Sequence, residues 1–200
     1  MKITGFYNRE SQEKGFLVWP DSVWIRNGKP MFLPEEDEPF FILFAPCLRV
    51  DKVGKSVVKK FANRYYSEMC YSAVMLNKRA YQRLHDGKDP YAMDICADCC
   101  VITGNFKDKS LWENLKNINI SFFPLFLNKG ARSVTENEQI DTSQLFEKAD
   151  EAISEASRLN TLKTGDLIIP ELPKTGFEAI IDTKVELMAE DSELLTFKIK

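Results

Sequence analysis

"SRLNTLKTGDLIIPELP", Ser157 to Pro173, is the stretch on which the fold turns. A helix ends in it and strands begin. Upstream, "DTSQLFEKADEAISEASRL" places Leu145, Phe146, Ala149, Ala152, Ile153 and Ala156 on one apolar stripe at helical spacing. Asp141 or Thr142 supplies the cap. The spacing therefore predicts one long helix near residues 142–158. Downstream, "DLIIPELPKTGFEAIIDTKVELMAEDSELLTFKIK" reads as several short strands, with turns at the Pro, Gly and "EDS" positions.

Working back toward the N-terminus adds more strand. "INISFFPLFLNKGARSV" is a strand pair turning near Asn128-Lys129-Gly130, and "MCYSAVML" is strand-like. "KRAYQRL" offers one or two helical turns. "GKSVVKKFANRYY" sets Val57, Val58, Phe61 and Tyr65 at helical spacing, a short helix. "PFFILFAPCLRV" is continuously apolar, as a fully buried strand is, and Pro46 inside it suggests an edge or a bulge. "VWIRNGKPMFLP" reads as a hairpin about Asn27-Gly28. "EEDE", Glu35 to Glu38, is an acidic loop whose charges are solvated rather than a Ca²⁺ site. No internal repeat or low-complexity tract is present. The sum is a β-rich α+β fold with one long helix, a single domain over residues 1–200 with a short N-terminal arm of about residues 1–16.

Composition excludes several functions. The 200 residues are 44% apolar and 28% charged, with a formal net charge of −3. No basic face for nucleic acid follows from that balance, and Lys and Arg are scattered, which argues against anionic membranes. "MKITGFYNRESQEKG" has no apolar core of a signal peptide. The longest apolar run, Phe40 to Leu48, is too short to span a bilayer. Five cysteines, an odd number without an export signal, read as reduced thiols of a cytoplasmic protein.

With those elements in place the chain resembles the fumarylacetoacetate hydrolase family. Its C-terminal signature runs S-x-x-x-T-L-x-x-G-D-x-I-x-x-G-T-P, and Ser157, Thr161, Leu162, Gly165, Asp166, Ile168 and Pro173 fit it. "DTSQLFEKADEAISEAS" resembles the helix before that signature and "SELLTFKIK" the closing strand. "WPDSVWIRNGKPMFLP" resembles the K-P-x-S segment with the hairpin after it. "GKSVVKKFANRYY" is similar to a segment of bacterial members. The resemblance spans nearly the whole chain. It implies a layered β-roll, usually dimeric. It also implies metal-dependent chemistry on short 2-oxo or diketo carboxylic acids: C–C hydrolysis, decarboxylation or tautomerisation. The family norm is Mg²⁺ or Mn²⁺, a hard cation held by the carboxylates of E-x-E and of the Asp in N-D-x-[ST]. A Lys in K-G-F-D and an N-terminal His assist.

At those positions this sequence differs. Anchored on "FANRYY", the E-x-E positions fall on Leu43 and Ala45, and the Asp position on Val74. "DPYAMDICADCC" lies over P-W-x-x-x-K-G-F-D, so Pro90, Tyr91 and Asp98 take the Pro, Trp and Asp positions. Ile95 stands at the Lys position and Cys96 at the Gly. Trp19 replaces the Lys of K-P-x-S while Pro20 and Ser22 persist. Glu171 and Leu172 stand at the G and T of G-T-P. The one His of the chain is His85, in "RLHDGKD", expected in an exposed polar loop. Three carboxylates, a Lys and a His are replaced together, and Leu, Ala and Val cannot ligate a hard cation.

The cysteine-rich "DICADCC", Asp94 to Cys100, admits two accounts. Cys96, Cys99 and Cys100 could hold Zn²⁺, or Cys96-x-x-Cys99 could be a redox pair. Structural zinc wants four ligands, and a redox C-x-x-C opens a helix in a βαβ unit; neither context is visible. Small thiols filling space is the simpler account. Asp98 and Glu68 remain weak catalytic candidates without a partner base, and Asp166 reads as structural.

The expectation is a non-catalytic relative that needs no cofactor. It would act as a binding module or partner subunit, a homodimer or a heterodimer with an active paralogue. The alternatives are a metal-dependent or metal-independent hydrolase, decarboxylase or isomerase of the family's type, and a cysteine-based zinc or redox site.

Overall fold

The computed structural model describes residues 1–11, 13–34, 38–95, 100–112, 117–124, 134–139, 141–189 and 192–200. The strands in chain order are β1 (Lys2–Asn8), β2 (Lys14–Pro20), β3 (Trp24–Arg26), β4 (Phe40–Val50), β5 (Tyr66–Asn77), β6 (Val101–Thr103) and β7 (Lys107–Asp108). There follow β8 (Asn117–Pro124), β9 (Val134–Gln139), β10 (Leu167–Ile169), β11 (Phe177–Glu178), β12 (Thr183–Ala189) and β13 (Ser192–Ile199). Two α-helices accompany them, α1 (Lys78–His85) and α2 (Thr142–Leu159). A nine-stranded sheet runs β2-β1-β10-β4-β5-β6-β3, with β11 paired to β4 and β7 to β5; a four-stranded sheet runs β13-β12-β8-β9. This is the expected strand-rich α+β architecture.

The expected long helix is α2. Asp141 caps it, its Oδ1 accepting from the N–H groups of Ser143 (3.0 Å) and Gln144 (3.2 Å). Leu145, Ala149, Ala152, Ile153 and Ala156 are buried, while Phe146 is half-buried. The "NINISFFP" and "VTENEQ" segments pair as β8 and β9, and the turn expected at 128–130 lies outside the described residues.

The signature residues are fasteners. The Ser157 hydroxyl, fully buried, accepts from Val57 N–H (2.8 Å) and donates to Ser154 O (2.8 Å), which ties the 54–58 loop to α2. Leu162 and Gly54 exchange backbone bonds, Leu162 N to Gly54 O at 2.8 Å and the reverse at 3.2 Å. Asp166 accepts from Lys2 N–H (3.0 Å) and Lys163 N–H (2.8 Å) and pairs with the Lys2 ammonium. It joins β1 to the turn before β10, so Asp166 is structural.

Three local expectations changed. Residues 1–16 are not an arm: they supply β1 and the start of β2, and β1 pairs in parallel with β10. "VWIRNGKPMFLP" is not a hairpin. β3 pairs in parallel with β6, and the turn docks on β13 instead, with Gly28 N–H donating to Thr196 O (2.8 Å) and Thr196 N–H to Asn27 Oδ1 (2.7 Å). The helix expected in "GKSVVKKFANRYY" is a 3₁₀ turn, Lys59–Arg64, that buries Ala62 and leaves Val58 and Phe61 exposed.

Pro46 sits mid-strand in β4, opposite Tyr71 of β5. On its other side β10 reaches only Leu48 and Arg49, and β11 only Phe41 and Ile42. Even-numbered residues of β4 aim their polar groups that way, as Phe40 O does in accepting from Ala179 N–H (2.8 Å). The missing N–H of Pro46 therefore points into the gap and costs no ladder bond. β4 is central in the sheet and an edge at this one point.

Candidate functional site

Strand alternation sorts the large sheet into two faces. Leu43, Ala45, Cys47 and Arg49 of β4 share one. Register extends that face sideways: Leu43 opposes Val74, Cys47 opposes Cys70 and Arg49 opposes Glu68. In the other direction Arg49 opposes Leu167, Leu167 pairs with Ile3, and Ile3 with Trp19. Leu43, Ala45 and Val74 are thus brought together on one face, and each is at most 1% exposed. Trp19 belongs to the same face. α2 and Phe197 of β13 lie against the opposite face: Phe44 packs on Phe177 (5.7 Å between centroids) and Phe197 (6.5 Å).

Three more replaced positions meet. The Trp19 indole N–H donates to Ile95 O at 2.8 Å, and the Cys100 thiol donates to the same oxygen at 3.7 Å. A side-chain carbon at Gly5 would lie 2.8 Å from the Trp19 ring and 3.5 Å from a methyl of Leu172, so only glycine admits the ring there. Trp19, Ile95 and Leu172 are all buried. Leu43 is roofed in turn: a side-chain carbon at Gly176 would lie 3.4 Å from it and 2.9 Å from Tyr81, which stacks on Phe41 at 4.2 Å. These residues do not fit Mg²⁺ or Mn²⁺, since apolar walls supply no oxygen ligand. Among the described residues no group of three or more His, Cys, Asp or Glu could hold a metal ion.

The remaining candidates disperse. Cys96, Asp98 and Cys99 lie outside the described residues, as do residues 35–37 of the acidic loop. Cys100 is buried at the β6 edge, away from solvent. Cys47 and Cys70 face each other across β4 and β5; burial pushes the Cys70 thiol up, and the neighbouring Cys47 adds to it. Glu68 pairs with Arg49 (2.9 Å) and stays half exposed. His85 is exposed as expected but ends α1 rather than lying in a loop.

Residue reasoning missed three features. Asp94, inside the cysteine-rich stretch, is buried and held by the Arg79 guanidinium, whose hydrogen bonds keep its carboxyl below the usual range. A cleft of about 280 Å³ opens at the Pro46 gap, lined by Phe44, Pro46, Tyr71 and Pro173 and bridged by Lys148–Glu171 at 2.5 Å. A second, of about 360 Å³, lies among Trp24, Arg26, Arg49, Glu68 and Phe106. None shows in sequence: strand pairing between distant segments builds the two clefts, and the packing of the 92–94 turn beside α1 makes the Asp94 pair.

No family model matches the sequence, and no curated protein matches it. Solved structures do. Fumarylpyruvate hydrolase from Pseudomonas aeruginosa, in complex with Mn²⁺ and pyruvate, is similar at a TM-score of 0.74 and 14% identity, over 99% of this chain and 88% of that one. A Yersinia pestis CO92 protein named for the fumarylacetoacetate hydrolase family gives 0.75 and 14%, over 100% and 92%. 5-Carboxymethyl-2-hydroxymuconate delta-isomerase from Mycobacterium smegmatis gives 0.73 and 16%, over 99% and 78%. The chain has the fumarylacetoacetate hydrolase fold. Its two sheets and α2 are therefore those of a fold that carries hydrolases and an isomerase among these neighbours. No helix among the described residues is long and apolar enough to cross a membrane.

Proposed function

We propose that this chain is a non-catalytic relative of the fumarylacetoacetate hydrolase family. It keeps the fold without the metal carboxylates, the Lys and the His, and works as a binding module or as the partner subunit of an active paralogue. One observation carries the proposal. The positions that the resemblance assigns to metal ligands, Leu43, Ala45 and Val74, share one buried apolar face with Trp19, whose indole is bonded to Ile95, at the position of the second lysine. Burying a divalent cation against such walls is opposed by several kcal/mol of desolvation, on the order of what an unpaired buried charge costs. The fold persists because its fasteners, Ser157, Leu162 and Asp166, are separate from those positions.

The test is a thermal melt of the reduced chain with chelator, with Mn²⁺ and with Mg²⁺, beside assays of oxaloacetate and acylpyruvate turnover. A cation bound only by the native state must raise the midpoint. The expected result is one midpoint under all three conditions and no turnover. A rise with Mn²⁺ or Mg²⁺, together with turnover, would return the chain to the metal-dependent hydrolases and isomerases. In a fourth melt, with Zn²⁺, a rise seen there and in no other condition would favour the cysteine site. Light scattering of the chain alone, and mixed with an intact paralogue, separates homodimer from heterodimer.

A further inference from the structure

The cleft among β3, the end of β4, the start of β5 and the 104–106 loop continues the face just described, since Trp24 is in register with Val74 through Val101 and Arg26 with Ala45 through Thr103 and Ser72, but it is differently built. Arg49 is six residues along β4 from Leu43, about 20 Å at the rise of a strand. There the same sheet face turns from apolar to cationic and aromatic. The Arg49 guanidinium lies 4.0 Å over the Phe106 ring, and Arg26 lies 5.5 Å over the Trp24 ring. A guanidinium stacked on a ring keeps the N–H groups of its edge free for an in-plane acceptor. Glu68 takes one of them, Arg49 Nη1 at 2.9 Å. Two cations and one anion leave a local surplus of positive charge in a chain of net charge −3.

The walls are fixed. Thr103, 2% exposed, accepts the Trp24 indole N–H at 2.8 Å, which sets the Trp24 ring and leaves the threonine's own O–H to donate elsewhere. Asn27 has its Oδ1 occupied by Thr196 N–H at 2.7 Å, so its amide is oriented, and its Nδ2 donors have no acceptor among the described residues. At the floor, a side-chain carbon on Gly104 would lie 2.0 Å from Leu194 O; β13 is pressed against the loop there and holds it. Rigid donors around an aromatic-walled cleft of about 360 Å³ match the size and make-up of small-molecule sites.

We propose that this cleft binds a small planar organic carboxylate. The carboxylate lies in the plane of the Arg49 and Arg26 edges, displacing Glu68 from Arg49, and the planar body packs between Trp24 and Phe106. Recognition is by two stacked guanidiniums and the Asn27 amide, and no metal takes part.

The experiment titrates the full chain by calorimetry with benzoate, with its neutral analogue benzamide, and with sulfate at matched ionic strength. Benzoate binds measurably; benzamide binds at least about tenfold more weakly, the loss expected when a charge-assisted pair is removed, and sulfate also binds at least about tenfold more weakly, because it has no planar body to pack between the rings. Arg26→Met, at an exposed side chain, and Arg49→Met each weaken benzoate about tenfold or more. Glu68→Gln tightens it several-fold, because the internal competitor for Arg49 is gone; a merely structural Arg49–Glu68 pair would not respond so. Equal binding of benzamide, equal binding of sulfate, or unchanged affinity in both arginine variants overturns the proposal. The melts with divalent cations probe the face of Leu43 and Val74, so either test can fail without the other.

Discussion

The Trp19 indole N–H donates to the carbonyl oxygen of Ile95 across 76 residues of sequence, at 2.8 Å and away from solvent. Both residues stand where the resemblance places a lysine. An apolar ring with one strong donor thus satisfies a buried backbone acceptor that would otherwise keep only the weak Cys100 thiol. Trp19→Ala should destabilise the chain by about 3–5 kcal/mol, the cost of deleting a fully buried aromatic. Trp19→Phe keeps most of the volume and loses the bond, for about 1–3 kcal/mol. Urea denaturation of both variants decides this; no loss in Trp19→Phe would mean that the bond contributes nothing beyond packing.

Leu43 and Val74 oppose one another in register, so a carboxylate at Leu43 would face a β-branched apolar neighbour. Leu43→Glu should cost about 3–5 kcal/mol at neutral pH, as an uncompensated buried charge does. Burial raises the pKa of the new acid, so the loss should shrink as pH falls through that raised value. Stability measured by urea across pH 5 to 8, with and without Mn²⁺, checks both parts. Full rescue of the single variant by Mn²⁺ would mean that oxygen ligands remain nearby, against the proposal.

What could be read from sequence, and what could not, divides along a physical line. α2 was legible because its cap and apolar stripe are local, and β4 because nine successive apolar residues, Phe40 to Leu48, have few other uses. The signature around Ser157 and Asp166 was legible as a pattern, but its purpose was not: Ser157 binds a loop 100 residues away and Asp166 reaches Lys2. The Asn27-Gly28 turn misled because its polar groups are claimed by Thr196, a tertiary partner. The arginine cleft was invisible for the same reason, since β3 meets β5 only through β6.

Cys47 and Cys70 are opposed across two central strands, and Cys70 is held protonated by burial and by its neighbour. Both thiols are sealed from reagent by burial, and the Cys70 thiol is also held from the reactive thiolate form, so neither should alkylate in the native state. With iodoacetamide at pH 8, mass mapping should find Cys47, Cys70 and Cys100 labelled on the order of 100-fold more slowly than in the unfolded chain. Fast labelling of Cys47 or Cys70 would be incompatible with a sealed core and would reopen a redox account.

Asp94 gives a pH dependence with a definite sign. Hydrogen bonds from Arg79, followed by the charge of that guanidinium, lower its carboxyl in the folded chain against the opposing effect of burial. Unfolded, it titrates near the ordinary value of about 3.9. A folded pKa below the unfolded one means that the unfolded chain binds the proton more readily. The stabilisation is therefore complete above about pH 4–5 and drains away as pH falls through the lowered value. Asp94→Asn should be less stable than the parent at pH 7. The gap should close progressively below pH 4, as the parent loses the same interaction. Asp89 and Glu151, lowered by Tyr7 with Arg9 and by Lys14 respectively, act in the same direction, so some acid sensitivity persists in the variant. Urea midpoints of both proteins from pH 3 to 7 test this. Parallel curves, with a gap that does not change with pH, would show that Asp94 matters through shape alone and not through its charge on Arg79.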